Sequence, residues 1–319
     1  MIDTLTAQAR TAHPLTDQAL AAIAANHQAG AAEIAEQAAS ALLQYINTDE
    51  SPTPDTFRQH LLTIGWEFIR AQPTMAPLVN LVNSMLWDLE SRDSVGVLRQ
   101  RASNAASTFR RRLHVHEAAI AESVLQLIPE KARVLTMSRS STVLAALRHA
   151  HRAGRRFSVI CGEGRPGCEG QMLATELSEQ GIPATLVIDA LAIAMVAQSH
   201  LVLVGADHLR EHELVNKVGT YGMALAARAS SVPIYALCGS DKFLPPGYRP
   251  PPQTVWPARQ VWDNPPDLVT IRNIYFDHTP LSLMTGIVTE KGVLPTIGIE
   301  AWMAAIRLHP SLKESNFGF

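Results

Sequence analysis

Near residue 130 the spacing of apolar residues changes, and the two rhythms on either side leave few folds open. Before it, apolar residues recur every three or four positions, as on one face of a helix. Leu20, Ile23 and Ala24 begin such a stripe, with Thr16 or Asp17 as its N-cap, and Ile34, Ala38, Leu42 and Ile46 continue it in a second helix. Thr53-Pro54-Asp55 reads as a cap with Pro in the first turn, opening a third helix to about residue 70. A long helix is expected from about 94 to 127, carrying Arg99, Arg101, Arg110, Arg111 and Arg112. From Lys131 onward, short runs of Val, Ile and Leu (133–136, 157–161, 184–188, 201–204 and 234–237) alternate with helix-like segments (142–153, 169–180, 190–197 and 215–229). That alternation predicts a parallel sheet with right-handed crossovers and helices on both faces. The Pro-rich stretch 244–257 reads as irregular loop, 273–276 as one more strand and 280–284 as a short helix. The expected fold class is α/β, a helical domain over 1–128 followed by a parallel-sheet domain over 129–319.

Composition narrows the function classes. The 27 Lys+Arg against 29 Asp+Glu leave a formal charge of −2, which argues against holding nucleic acid through a basic field. Three cysteines, Cys161, Cys168 and Cys238, make no disulfide framework and fit a reducing compartment. No apolar run reaches the ~20 residues a spanning helix needs, and Met1-Ile2-Asp3-Thr4 lacks a basic leader. A cytoplasmic chain with no membrane partner is expected.

In an open parallel sheet, ligands bind beyond the carboxyl ends of the strands. The residues just past those ends are Met137-Ser138-Arg139-Ser140-Ser141, Gly162 to Arg165, Asp189 and Gly205-Ala206-Asp207-His208, with Asn216 and Lys217 opening the next helix. Hydroxyls before a helix N-terminus, with one Arg, one Lys and a carboxylate, suit a phosphorylated polyol. Each residue also has a plainer reading: Ser140 or Ser141 as a helix cap, Asp189 as another, Lys217 as an exposed charge. It is their convergence on one rim that points to a site. Gly162-Glu163-Gly164-Arg165-Pro166-Gly167 spells G-x-G-x-x-G, with Asp189 where a ribose-binding acid belongs. The motif follows the second strand rather than the first, however, and Pro166 removes an N–H that pyrophosphate would need. Tight turns and close backbone approach explain the glycines better.

Other constellations are weaker. His114 and His116 stand about 200° apart around a helix and cannot chelate one metal from it. Cys161 and Cys168 lack a second pair for zinc. Arg110, Arg111 and Arg112 read as a solvated helix face or subunit contact, and Asp277-His278 has no nucleophile in a recognisable motif.

Gly205-Ala206-Asp207 followed by Val215-Asn216-Lys217-Val218-Gly219-Thr220-Tyr221 resembles the G-A-D … N-K-I-G-T signature of one superfamily. It contains the alpha, beta and delta subunits of translation initiation factor 2B and the isomerases of methylthioribose-1-phosphate and ribose-1,5-bisphosphate. Arg165-Pro166, Glu169-Gly170, the segment 174–189, Lys242-Phe243 and the segment 276–294 match in order, so the resemblance covers about 130–300. It implies a helical domain before a Rossmann-like parallel-sheet domain and a homodimer formed largely by the second domain; no cofactor or metal is expected. The apolar stretch 274–294 fits a dimer contact.

Two departures bear on catalysis. The isomerases carry a Cys after the first strand, in T-H-C, where this chain has Thr136-Met137-Ser138. That Cys and the G-A-D aspartate, here Asp207, are the family's acid/base pair. A thiol near pKa 8.5 can be tuned for proton exchange, whereas a serine hydroxyl needs a strong adjacent base. The family's phosphate-binding Arg-Gly-Ala is here Ala29-Gly30-Ala31, without the Arg. The leading expectation is therefore a non-catalytic, initiation-factor-2B-like protein binding a sugar phosphate or nucleotide monophosphate. Its site would comprise Ser138, Arg139, Ser140, Ser141, Arg165, Asp207, Asn216 and Lys217. The alternatives are an aldose–ketose isomerase using Asp207 with a substitute such as Cys161 or His208, and an interaction protein with a vestigial pocket.

Overall fold

Thr53 begins its helix as the sequence suggests: its Oγ1 accepts the Thr56 N–H at 3.2 Å, and Pro54 occupies a position that needs no donor. The structure, a computed structural model, describes residues 14–26, 29–251, 253 and 255–313; the amino-terminal residues read for a leader lie outside these. Among the described residues five helices come first: α1 (Pro14–Ala25), α2 (Ala31–Thr48), α3 (Pro54–Ala71), α4 (Ala76–Asp88) and α5 (Val95–Leu125). Helix α4 has no sequence stripe because Leu78, Val79, Leu81, Val82 and Met85 are all buried, on every side of it. The 31 residues of α5 join two cores. Leu98, Phe109 and Leu113 pack among the other helices, while Ile120 and Val124 pack under the sheet.

The main sheet has parallel strands β1 (Ala132–Met137), β2 (Phe157–Gly162), β3 (Ala184–Val187), β4 (Leu201–Val204), β7 (Ile234–Leu237) and β9 (Gly286–Thr289), and an antiparallel edge strand β10 (Gly292–Leu294). Their order across the sheet is β10-β9-β7-β4-β1-β2-β3. Alternate residues face opposite layers: Leu135, Val202, Val204 and Ala236 one way, Val134, Leu201, Leu203 and Leu237 the other. Burial on both faces is why these strands read as continuous apolar runs. Helices α6 (Ser141–Arg152), α7 (Glu169–Glu179), α8 (Asp189–Ala194) and α9 (Thr220–Ser230) make the crossovers, and α10 (Ile299–Met303) follows β10.

The expectation of a helix over 215–229 needs correction. Glu213–Lys217 is strand β6, paired antiparallel between β5 (His208–Leu209) and β8 (Phe276–Pro280) in a second sheet. Gly219, at φ 107°, breaks the chain, and α9 starts only at Thr220. Asn216 and Lys217 thus end a strand rather than open a helix. The strand expected at 273–276 begins at Phe276, and 280–284 holds a single 3-10 turn, Leu281–Leu283. Ile287, Val288 and Leu294 are buried by the chain's own sheet, so the apolarity of 274–294 is no longer a reason to expect a dimer contact there. Among the described residues no helix is long and apolar enough to cross a membrane.

Helical and sheet elements meet at a 3-10 turn after β7, Ser240–Lys242. Asn80 of α4 donates to the carbonyls of Asp241 and Phe243 at 2.7 and 2.8 Å, and His116 of α5 lies 2.9 Å from the Asp241 carboxylate. Asn80→Ala leaves two buried carbonyls without this donor and is expected to destabilise the fold by roughly 2–4 kcal/mol. Urea unfolding measures it as a lower midpoint at constant slope; an unchanged midpoint would show that Asn80 does not hold the turn.

Candidate functional site

Strand β1 delivers Ser138 in the left-handed region (φ 59°), with its N–H on the Gly162 carbonyl at 3.1 Å. Ser140 then caps α6, its Oγ accepting the Val143 N–H at 3.4 Å. Past β2, Asp189 holds the glycine loop by accepting the N–H groups of Gly164 (2.8 Å) and Arg165 (2.7 Å), which explains this acid without a ribose. A Cβ on Gly170 would sit 2.1 Å from the Gly162 carbonyl oxygen, so only glycine lets the start of α7 lie this close to β2. That approach seats Glu169 beneath Ser138.

The result is a buried polar line. Ser138 Oγ donates to Glu169 Oε2 at 3.1 Å, and Lys217 Nζ donates to Glu169 Oε1 at 2.8 Å. Lys217 Nζ also lies 4.6 Å from the centre of the Tyr275 ring, a cation–π contact. Asn216 Nδ2 donates to Thr220 Oγ1 at 3.0 Å. Asp207 follows β4 and is buried, at 8% exposed; burial pushes its carboxyl up to about 6, while Lys242 and Lys217 pull it back and Glu169 adds to the rise. Lys242 is buried as well, its Nζ 3.5 Å from Thr142 Oγ1.

One cavity, about 690 Å³ with its open mouth, brings together Ser138, Arg139, Ser140, Ser141, Asp207, Asn216 and Lys217. Glu169 and Lys242 also line it, with Gly30 and Ala31 on the helical side and Trp256 and Tyr275 on the loop side. Arg139 is anchored between Glu33 (3.0 Å) and Glu176 (2.7 Å). Arg165 stands apart: its side chain is exposed and donates to the Val261 carbonyl at 3.3 Å. Neither suggested substitute for the thiol faces the cavity. Cys161 lies in the core, where burial pushes its thiol up to about 12. His208 donates through Nδ1 to the Thr74 carbonyl at 2.7 Å, and burial lowers it to about 4.

The remaining constellations have local partners. His114 meets Glu36 at 3.0 Å, whereas His116 meets Asp241, and among the described residues no cluster could hold a metal ion. Arg110, Arg111 and Arg112 are exposed. Asp277 caps α9 by accepting the N–H groups of Gly219 (2.7 Å) and Tyr221 (3.1 Å), and His278 lies 3.2 Å from Glu213. Sequence reasoning singled out neither Glu169 nor Lys242 as a site residue. The available signal was a charged residue shortly past the end of β2 and of β7, at the same rim as the others.

Asp207 carries a stability signature. Its folded value of about 6 exceeds the ordinary 3.8, so the folded state holds this proton more tightly. The group therefore favours folding at low pH, and that advantage is lost as pH rises from about 4 through about 6. Asp207→Asn removes the buried charge and is expected to stabilise by at most about 3 kcal/mol near pH 8, with little effect near pH 4. Paired denaturation curves measure this; an equal effect at both pH values would show that Asp207 titrates normally.

Comparison with known proteins identifies the family. The model of the Initiation factor 2 subunit family matches residues 27–296. A methylthioribose-1-phosphate isomerase of Heliobacterium modesticaldum is 32% identical, over 80% of this chain and 79% of its own. A ribose 1,5-bisphosphate isomerase of Archaeoglobus fulgidus is 30% identical, over 83% and 85%. The crystal structure of translation initiation factor eIF-2B from Pyrococcus horikoshii superposes with a TM-score of 0.77 at 28% identity, covering 88% of this chain and 96% of that one. A match of that span, with relatives of this similarity along most of their length, makes the chain a member of the Initiation factor 2 subunit family.

Proposed function

We propose that the cavity binds a phosphorylated sugar and that the chain is an aldose–ketose sugar-phosphate isomerase in which Asp207 carries the proton. The observation that carries this reading is Asp207 itself. A carboxyl buried beside two lysines and brought to about 6 can both take and return a proton near neutrality. Phosphate has a natural seat at the start of α6: Ser140 and Ser141 line the cavity there, and a Cβ on Gly30 would lie 3.7 Å from the Ser141 nitrogen. Lys217 and Lys242 supply positive charge in the same cavity. Relatives named as isomerases of two sugar phosphates support the same chemistry.

Non-catalytic binding of a sugar phosphate or nucleotide monophosphate is the second reading. It is favoured by Ser138 at the family's thiol position and by Ala29 where a phosphate-binding Arg would stand. Turnover separates the two. Methylthioribose-1-phosphate or ribose-1,5-bisphosphate, followed by phosphorus NMR, is expected to be converted, and Asp207→Asn to lower kcat by ~10²–10⁴. Saturable binding without conversion of either compound would overturn catalysis and leave the second reading.

The same proposal places the chain in the cytoplasm, divides it into units over 1–128 and 129–319, and makes it a homodimer. Edge strand β3 and the neighbouring helices α8 and α9 expose Leu186, Ile188, Leu191, Tyr221 and Leu225, an apolar face on the sheet side. Light scattering at micromolar concentration is expected to give the mass of two chains, and Leu191→Arg that of one. A wild-type monomer would refute the dimer.

A further inference from the structure

A serine in place of a thiol is a poor proton carrier unless a base stands behind it, and here one does. Ser138, Glu169 and Lys217 are 5%, 3% and 7% exposed, and all three line the cavity that holds Asp207. The serine hydroxyl points at one carboxylate oxygen of Glu169 while Lys217 holds the other. The glycines of the G-x-G-x-x-G run make room for this pair. A Cβ on Gly164 would fall 2.8 Å from Ser138 Cβ and 3.0 Å from Glu169 Oε2, and one on Gly167 would fall 2.2 Å from Glu169 Oε1. The loop is shaped around the Cα and Cβ of Ser138 and the carboxylate of Glu169.

We infer that Ser138 and Glu169 form the second proton-transfer unit of the site, Ser138 exchanging its proton with a sugar oxygen and Glu169 taking or returning that proton behind it. This role rests on the isomerase reading above. From aldose 1-phosphate to enol, the Asp207 carboxylate removes the hydrogen on C2 and the C–H pair becomes the C1–C2 double bond. The C1–O4 ring bond breaks with its pair on O4, which takes the Ser138 proton as Ser138 takes one from the Glu169 carboxyl, while O1 keeps its phosphate. From enol to ketose, the O2 hydroxyl proton passes to Ser138 and the Ser138 proton to Glu169. The O–H pair closes the new carbonyl, and the double-bond pair takes the Asp207 proton at C1. The two carboxyls end as they began, with one proton between them.

Charge supports that sharing. Without ligand, Glu169 is the carboxylate that Ser138 and Lys217 hold; a phosphate dianion entering beside Lys217 and Lys242 makes the cavity net negative, and the relay begins once the carboxyl pair has taken up one proton, on Glu169. The groups that face Glu169 are Ser138, Lys217, Asp207 and Tyr275.

The test is the pH dependence of kcat for wild type, Glu169→Gln, Ser138→Ala and the double variant, using whichever of the two sugar phosphates wild type converts. Ser138→Ala leaves the Glu169–Lys217 pair in place, so it reads the relay even if Glu169→Gln disturbs the fold. Each single variant is expected to lose ~10²–10³ in kcat with KM little changed. Each should also lose one limb of the pH profile, and the double variant should be no slower than the slower single. Ser138→Ala with wild-type kcat and an unaltered profile, beside an inactive Asp207→Asn, would overturn the relay and leave the isomerase standing. A wild type that converts neither sugar phosphate overturns the isomerase reading first and this role with it.

Discussion

A carboxylate taken out of water loses several kcal/mol of solvation unless hydrogen bonds and an opposite charge replace it. Glu169 is such a carboxylate, and much of the rim is arranged to keep it satisfied: Ser138 on one oxygen, Lys217 on the other. Ser138 is in turn fixed by a left-handed turn at the end of β1, and Lys217 by its place at the end of β6. Two points of the chain, 31 and 48 residues from Glu169 in sequence, converge on its carboxylate. Moving either of them strands a buried charge, which is a stronger constraint on geometry than packing alone.

The two carboxyls of the cavity differ through their surroundings. Glu169 receives direct donors, whereas Asp207 is shaped by burial and by the fields of Lys242 and Lys217. Arg139 shows the opposite design. Its guanidinium reaches the same cavity but lies between Glu33 and Glu176, so it braces α2 and α7 against the rim rather than presenting a free positive charge.

Local rhythm made much of this legible. Strands buried on both faces read as apolar runs, and the rule that ligands gather beyond their carboxyl ends singled out Ser138 and Asp207; Asn216 and Lys217 reach the same cavity from the end of β6 rather than from the start of a helix. Helix α4 escaped because burial on all sides erases the amphipathic signal. Strand β6 escaped because its pairing partners, His208 and Leu209 on one side and β8 on the other, are set by tertiary contact. Arg165 follows a strand end as Ser138 and Asp207 do, but the N–H groups of Gly164 and Arg165 donate to Asp189 and set the loop's path, and the Arg165 side chain lies on the surface. Glu169 was in view as part of a motif, but nothing in sequence spacing pairs it with a serine one strand earlier.

The helical part completes the site. Gly30, Ala31, Gln72 and Met75 form one wall of the cavity, and the Ala76 N–H binds the Asp207 carbonyl at 3.2 Å. Asn80 and His116 fix the turn that carries Lys242. A sheet with these same rim residues but no helical wall would leave Asp207 facing water, and its carboxyl would fall toward the ordinary 3.8 because burial is the largest cause of its rise. The helices therefore act on the chemistry without contributing an acid or a base: by excluding water from Asp207 they set how tightly it holds its proton.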